Sequence, residues 1–406
     1  ATPPPPRSWP DTRTGIHVFQ GALALRGNAA WTVFAAHHYA GARQLLRSEI
    51  DAIRQTDPDF LLLLDRWGIG LGYRAPDETC DPNGEYLRVI QGDQWVQEWP
   101  GEEALQPGWF FSHEGSRVYQ CNEGWYLMEP DSEGWRAWQE AHFLDALQAT
   151  DADGLLALRA EIPTWLGGGR WDPPLPADSP SFEEAWARRL ERWFDWARGA
   201  FGERYRVIMD AGAWAVPRDT TDYQRAEGVW IQGFGADVLH RSGMDGWQLQ
   251  MARILTLVNH DKIVILESQE VATAQDRLYS LGSYLLAKGK HTFLHLELSP
   301  EPEWWPEYTI PIGRYEGDVP HTLNELFDPA WGVYLRRYEN GVVLVNPGPS
   351  PVAIYLGDRH YLAQPSGGGT VPEDGTIPSG WTVTYLPVTQ VFVPSGGAAI
   401  LLYRAP

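Results

Sequence analysis

Five carboxylates stand where an apolar run of the chain ends. They are Asp65 after DFLLLL (59–64), Glu161 in DGLLALRAEIP (153–163), Asp210 in YRVIMDAGAW (205–214), Glu267 in KIVILESQE (262–270) and Glu297 in HTFLHLEL (291–298). Short apolar runs of this kind read as buried strands, so an acid at the end is delivered to the rim of a core. Two carboxyls delivered there can share the hydrolysis of an acetal. One stays protonated as general acid, and the other attacks or activates water. Asp210 and Glu267 stand beside small or polar residues and are the first candidates for that pair, with Glu161 as the third. The structural alternative for Glu161 is a salt bridge with Arg159, two residues earlier on the same face of a strand. For Asp65 it is an ion pair with Arg66 or Arg74.

Polar and aromatic residues could furnish a binding surface around such acids. Gln232 ends GVWIQGF (228–234), and its amide both donates and accepts. His37 and His38 are expected in a loop after the first strand, where they hydrogen-bond hydroxyls or serve the loop alone. Trp95, in QGDQWVQEW, and Trp165 and Trp214 lie in turn-rich or polar contexts. A tryptophan offers a flat apolar face to a sugar ring and an N–H to a hydroxyl. With 21 tryptophans in the chain, the competing role is packing of cores and loops.

The elements that must position these residues alternate. Strands are expected at 15–20, 59–64, 109–114, 153–163, 205–214, 228–234, 262–270 and 291–298, with helices at 42–55, 132–147 and 181–201 and after strands six and seven. Ser132 and Ser181 are the expected N-caps. Strand–helix alternation means parallel βαβ units, and eight strands over about 300 residues favour a closed (β/α)8 barrel of the TIM type. In such a barrel the working residues sit at the C-terminal strand ends. No Gly-rich fingerprint follows the first strand, so a dinucleotide fold has no support. The pattern changes near Asp328 to hairpins around Glu339-Asn340-Gly341, which predicts a small antiparallel β-sandwich. The expected division is a Pro-rich linker at 1–14, the barrel at 15–327 and the β-domain at 328–406.

Composition bounds the partners. Lys and Arg total 32 against 53 Asp and Glu, a formal charge of -21. Such a chain repels nucleic acid and anionic membranes. No apolar run approaches the ~20 residues of a membrane helix. The opening ATPPPPRSWP reads as a processed terminus, which points to an exported protein. Cys80 and Cys121 fit one disulfide in an exported chain, or two free thiols; they do not make a zinc site.

Several segments carry a resemblance: IHVFQG, HHYAG, PDFLLLLDRW, VIQGDQWVQEWP, LMEPDSEGWRAW before DGLLAL, MDAGAW, GVWIQGF and YLRRYENGVVLVNPG. In that order, from about residue 15 to 350, they resemble the unclassified hypothetical glycosyl hydrolases numbered fifteen. The resemblance implies a barrel, export and an oligo- or polysaccharide substrate, with no metal or cofactor required. It also exposes two departures. The fourth strand of such families reads D-G-x-x-x-D, and Leu158 stands where the second acid belongs. The sixth commonly ends in Glu, and Gln232 stands there. An amide keeps the shape of the acid and removes its proton chemistry. Three readings follow: a glycosidase using mouth carboxylates, a non-catalytic glycan-binding or surface-structural protein on the same barrel, and a cofactor-using barrel enzyme.

Overall fold

A computed structural model describes residues 6–74, 80, 85–165, 170–176, 178–202 and 204–406. Eight parallel strands form the central sheet: β1 (Phe19–Ala22), β2 (Gly41–Arg43), β3 (Leu61–Trp67), β4 (Gly154–Leu158), β5 (Arg206–Asp210), β6 (Gly228–Ile231), β7 (Ile263–Ser268) and β8 (Thr292–Leu296). They pair in that order. The sheet closes through a parallel bridge between Val18 and Leu294, with the Leu294 N–H on the His17 carbonyl at 2.9 Å. The expected (β/α)8 barrel is therefore present. Its strands are apolar along most of their length because both faces are covered, and polar residues gather toward their C-terminal ends.

Six helices belong to the barrel layer: α1 (Ala29–His38), α2 (Arg47–Arg54), α3 (Glu133–Thr150), α4 (Pro180–Phe201), α5 (Ala236–Val258) and α6 (Ala274–Ala287). Between β5 and β6 a single 3₁₀ turn, Tyr223–Arg225, replaces a helix. Ser132 caps α3 by accepting the Trp135 N–H, but α4 is capped by Ser179, not Ser181, because Pro180 supplies the first helical position.

Two expected elements are displaced. Residues 59–64 belong to the third barrel strand, and the second is the short Gly41–Arg43, which the sequence pattern absorbed into a helix. The expected strand 109–114 is not in the barrel. Trp109 ends a 3₁₀ turn, and its ring packs against Trp135 and Trp138. That segment lies in a long insertion between β3 and α3, built of small hairpins and tied by a Cys80–Cys121 disulfide.

Residues 6–14, expected as a linker, lie across the N-terminal end of the barrel. Trp9 stacks on Phe19 and meets Phe293 edge-on, and the Thr12 N–H bonds the Lys290 carbonyl. Burial of the Trp9 ring against the barrel's apolar interior holds this segment in place.

The C-terminal part is one six-stranded antiparallel sheet. It contains Phe327–Asp328, β9 (Val333–Tyr338), β10 (Gly341–Asn346), β11 (Val352–Ser366), β12 (Thr382–Val393) and β13 (Gly397–Leu402). Alternation along β10 and β13 divides its faces. Val343, Val345, Ile400 and Leu402 join the barrel's core, while Val342, Leu344, Ala399 and Leu401 form a second apolar layer.

Candidate active site

The barrel interior is plugged by one apolar cluster: Phe19, Leu61, Leu63, Leu156, Ile208, Trp230, Ile263, Ile265 and Phe293. Side chains on a strand alternate faces, so the residue two places on from each topmost plug position points into the same lumen, one layer nearer the mouth. Adding Gly41 on β2, which abuts Phe19 and Leu61, that layer reads Gly21, Arg43, Asp65, Leu158, Asp210, Gln232, Glu267 and His295. Six of its eight positions are polar, set directly on an apolar floor. Asp65, Asp210, Gln232 and Glu267 were singled out from sequence. Arg43 and His295 were not.

Asp210 is 1% exposed. It accepts from the Gly212 N–H (3.1 Å), the Arg159 N–H (3.3 Å) and Gln232 Nε2 (3.4 Å). Burial pushes its proton affinity up, against the pull of the Arg159 charge and those two backbone N–H groups. Glu161 lies beside it. A Cβ on Gly212 would come within 2.5 Å of Glu161 Oε2, and Gly212 has φ +57, so only glycine fits between the two acids. Across that one residue the two carboxyls are neighbours: Asp210 Oδ1 accepts the Gly212 N–H, and Glu161 Oε2 lies where a Gly212 side chain would begin. Burial, and next the Asp210 charge, push Glu161 up to about 8.

Across the mouth, Glu267 is set up in the opposite sense. Trp230 Nε1 donates to Oε2 at 2.7 Å, and Gln269 Nε2 donates to Oε1 at 2.9 Å. Burial pushes its proton affinity up, but His295, Arg43 and Trp230 together hold it below the usual range. The Gly21 N–H donates to His295 Nε2 at 3.3 Å, which leaves the ring proton on Nδ1, 3.9 Å from Glu267 Oε2. Donor atoms of Glu267, His295 and Glu297 lie within 4.8 Å of one another. His295 Nδ1 is buried with no hydrogen-bond partner among the described residues, and it faces Glu267.

Asp65 pairs with Arg43 (2.7 Å), not with Arg66; the Arg74 side chain lies outside the described residues. Arg66 turns away from the lumen, donating to the Asp65 and Ile90 carbonyls. Burial raises the proton affinity of Asp65, Arg43 lowers it, and the Asp210 charge raises it again. The Arg43 guanidinium also lies 5.2 Å over the Trp230 ring. Arg159 does not pair with Glu161. β4 ends at Leu158, Arg159 takes a left-handed backbone (φ +55), and its side chain binds Glu123.

The remaining candidates are scattered. Trp214 follows β5 with φ +45, strain of the kind that clusters at functional sites. Its ring packs on Tyr223 under the Arg253 guanidinium. Trp165 is half-buried after β4 and donates to Glu183 Oε1 at 3.1 Å. Trp95 is 45% exposed on the hairpin of Arg88–Gln91 and Gln94–Gln97, whose tip is bonded to the start of α2. His37 and His38 are not in a loop after β1. They end α1, at the opposite face of the barrel, where His38 stacks on Phe34 and bonds its carbonyl. Trp125, Trp135, Trp186, Trp193, Trp230 and Trp247 are fully buried, so packing accounts for much of the tryptophan. No helix among the described residues is long and apolar enough to cross a membrane.

Comparison with solved structures returns barrel enzymes at low identity. A Paenibacillus sp. cycloisomaltooligosaccharide glucanotransferase, complexed with cycloisomaltoheptaose, is 10% identical at a TM-score of 0.37. The match covers 95% of this chain and 55% of that one, so this chain spans about half the length of that relative. The maltogenic α-amylase AmyB of Thermotoga neapolitana is 11% identical at 0.43, covering 96% and 99%. A glycoside hydrolase family 30 xylanase of Clostridium acetobutylicum is 11% identical at 0.43, covering 97% of each. No curated protein matches. The model of hypothetical glycosyl hydrolase family 15 matches residues 86–342, more than half of the sequence, and the chain belongs to that family.

Proposed function

We propose that this protein is an exported glycoside hydrolase acting on an oligo- or polysaccharide through the Asp210–Glu161 pair at the barrel mouth. The observation that carries the reading is the contrast within that pair. Glu161 holds its proton to about 8, so it is the protonated member at neutral pH. Burial raises the proton affinity of Asp210 as well, but its three hydrogen bonds favour the charged form, so Asp210 is assigned as the charged member. Glu161 then gives its proton to the leaving oxygen as the glycosidic C–O bond breaks and its electron pair passes to that oxygen. Asp210 attacks the anomeric carbon or takes a proton from the attacking water. Glu267, ionised on the far side, stabilises the positive charge that develops on the sugar. Gln232 and the Arg43–Asp65 pair offer donors and acceptors to hydroxyls, and Trp165 and Trp214 flank the mouth. The Cys80–Cys121 disulfide supports an oxidising compartment. The test is reducing-end release from a polysaccharide panel by the native chain, Asp210→Asn and Glu161→Gln. Release by the native chain alone supports the assignment. Equal release by all three overturns it.

Leu158 and Gln232 favour a second reading, in which the barrel binds glycan without cleaving it. Both occupy lumen positions where the family resemblance places acids. If the native chain binds a polysaccharide but releases nothing from it, and Gln232→Glu also releases nothing, this reading replaces the first. Release by Gln232→Glu alone identifies the amide as the block.

A further inference from the structure

Arg159 is anchored between two acidic sites that it serves in different ways. Its backbone N–H bonds Asp210. Its guanidinium runs the other way, to Glu123, with Nε 3.2 Å from Oε2 and a terminal nitrogen 2.5 Å from Oε1. Glu123 is itself fixed. Trp125 Nε1 donates to its Oε2 at 3.0 Å, and its own N–H donates to Oε1 of the buried Gln120 at 2.6 Å. Two residues earlier, Cys121 is held by the disulfide to Cys80 and by its N–H on the Arg170 carbonyl. The stapled insertion thus supplies the carboxylate that occupies the guanidinium.

We propose that Glu123 is a positioning residue that holds the Arg159 guanidinium away from the Asp210–Glu161 pair, and that the Cys80–Cys121 staple fixes Glu123 for that task. The inference rests on the assignment of that pair as the reacting carboxyls. The charged groups acting on Glu161 include Asp210, Arg159, Asp219 and Glu123, with the Tyr223 hydroxyl close by. Of the cations in this region, Arg253 is held by the Trp214, Val216 and Asp219 carbonyls, and Arg159 is the one that acts on Glu161 directly. Freed from Glu123 while its backbone stays on Asp210, the guanidinium finds its next partners in Glu161 and Asp210. A bidentate contact there draws the proton off Glu161 and removes the general acid. Loss of the Glu123 charge acts in the same direction, because that charge also helps keep the proton on Glu161.

The experiment is a ¹³C NMR titration of the Glu161 carboxyl in the full chain, assigned with Glu161→Gln. The native chain should titrate at about 8. Glu123→Gln should lower that midpoint by about one unit or more, and Glu123→Asp should restore most of it. In an Arg159→Met background the same Glu123→Gln change should have less than half its effect, as coupling through Arg159 requires. Cys80→Ser with Cys121→Ser should move the midpoint in the same direction by less. No shift in folded Glu123→Gln, or an equal shift with and without Arg159, overturns the proposal. An unmoved midpoint in the double Ser variant overturns the part assigned to the staple. Polysaccharide hydrolysis is measured alongside. Shifts without hydrolysis leave the positioning role standing and sink the catalytic reading. Hydrolysis without shifts does the reverse.

Discussion

The two sides of the barrel mouth use the same kind of residue to opposite ends. On the β4–β5 side, Glu161 and Asp210 crowd each other across Gly212, and burial with like charge keeps a proton between them. On the β7–β8 side, Glu267 is as buried as Asp210, yet Trp230, Gln269, His295 and Arg43 surround it with donors and positive charge. Burial alone would raise both. What separates them is the balance: around Glu267 donors and positive charge outweigh burial, and around Asp210 burial outweighs its donors. A mouth with one carboxyl kept protonated and another kept charged has the division that glycoside hydrolysis needs.

The largest expected effect breaks the comparison at its acidic side. Asp210→Asn should lower hydrolysis by about 10³-fold or more, and Glu267→Gln by roughly 10–10². Initial rates on one polysaccharide measure both. A larger loss at Glu267 would move the chemistry to the other side of the mouth.

The next effect is on pH. Hydrolysis should fall as pH rises through about 8, where Glu161 loses its proton, and Glu161→Gln should lack that limb. Stability should follow the same group. A carboxyl raised above its unfolded value binds more protons in the folded state, so its contribution favours folding at low pH. That contribution is lost between its unfolded value and about 8. Glu267 runs oppositely. Its contribution is present above its unfolded value and is lost as pH falls through its lower folded value. Urea midpoints of Glu161→Gln and Glu267→Gln across pH 3–9 should therefore slope away from the native curve with opposite signs.

A third change sharpens the donor side. Trp230→Phe removes the N–H on Glu267 Oε2 and leaves the ring to pack with Phe19. The cost should be about 1.5–3 kcal/mol at neutral pH, the range for a hydrogen bond to a charged group. It should shrink in acid as Glu267 is protonated. A cost that is flat with pH would mean the indole serves packing alone.

Much of this mouth is legible in the sequence because the lumen side of a parallel strand repeats every second residue. Ile208–Asp210, Trp230–Gln232 and Ile265–Glu267 are such steps, and each begins in an apolar run. Phe293–His295 is another, and the same step from the apolar plug would have found His295. Arg43 carried no such signal. β2 is three residues long, too short for a period, and Gln44 to Arg54 continue it with helix-like spacing. Losing that strand shifted β3 one place and promoted 109–114 to fill the count. The Arg159–Glu123 pair was hidden for a different reason. It joins a left-handed residue after β4 to an insertion 36 residues earlier, and nothing local marks such a contact. His37 and His38 were misplaced because the helix they end, Ala29–His38, is apolar almost throughout and shows little periodicity.

The smallest effect is expected where an aromatic residue lies outside the mouth altogether. Trp95 pairs with Ile90 across a hairpin that docks on the barrel's outer layer through Arg47 N–H to the Gly92 carbonyl and Ser48 N–H to Asp93. The Asp93 contact sits at the start of α2, and Gln91 and the Gly92 N–H hold the hairpin to α3 through Asp145 and Thr150. None of these bonds passes through the Trp95 ring, which is 45% exposed. Trp95→Ala therefore loses one cross-strand contact, and the cost should stay below about 1 kcal/mol in a urea melt. Hydrolysis of a soluble oligosaccharide should be unchanged, because among the described residues no hydrogen bond or ion pair joins the lumen layer to this hairpin tip. A loss of rate on the soluble substrate would bring the hairpin into the site and widen the mouth beyond its eight strands. An unchanged rate leaves Trp230, at the same residue type and fully buried, as the tryptophan on which Glu267 depends.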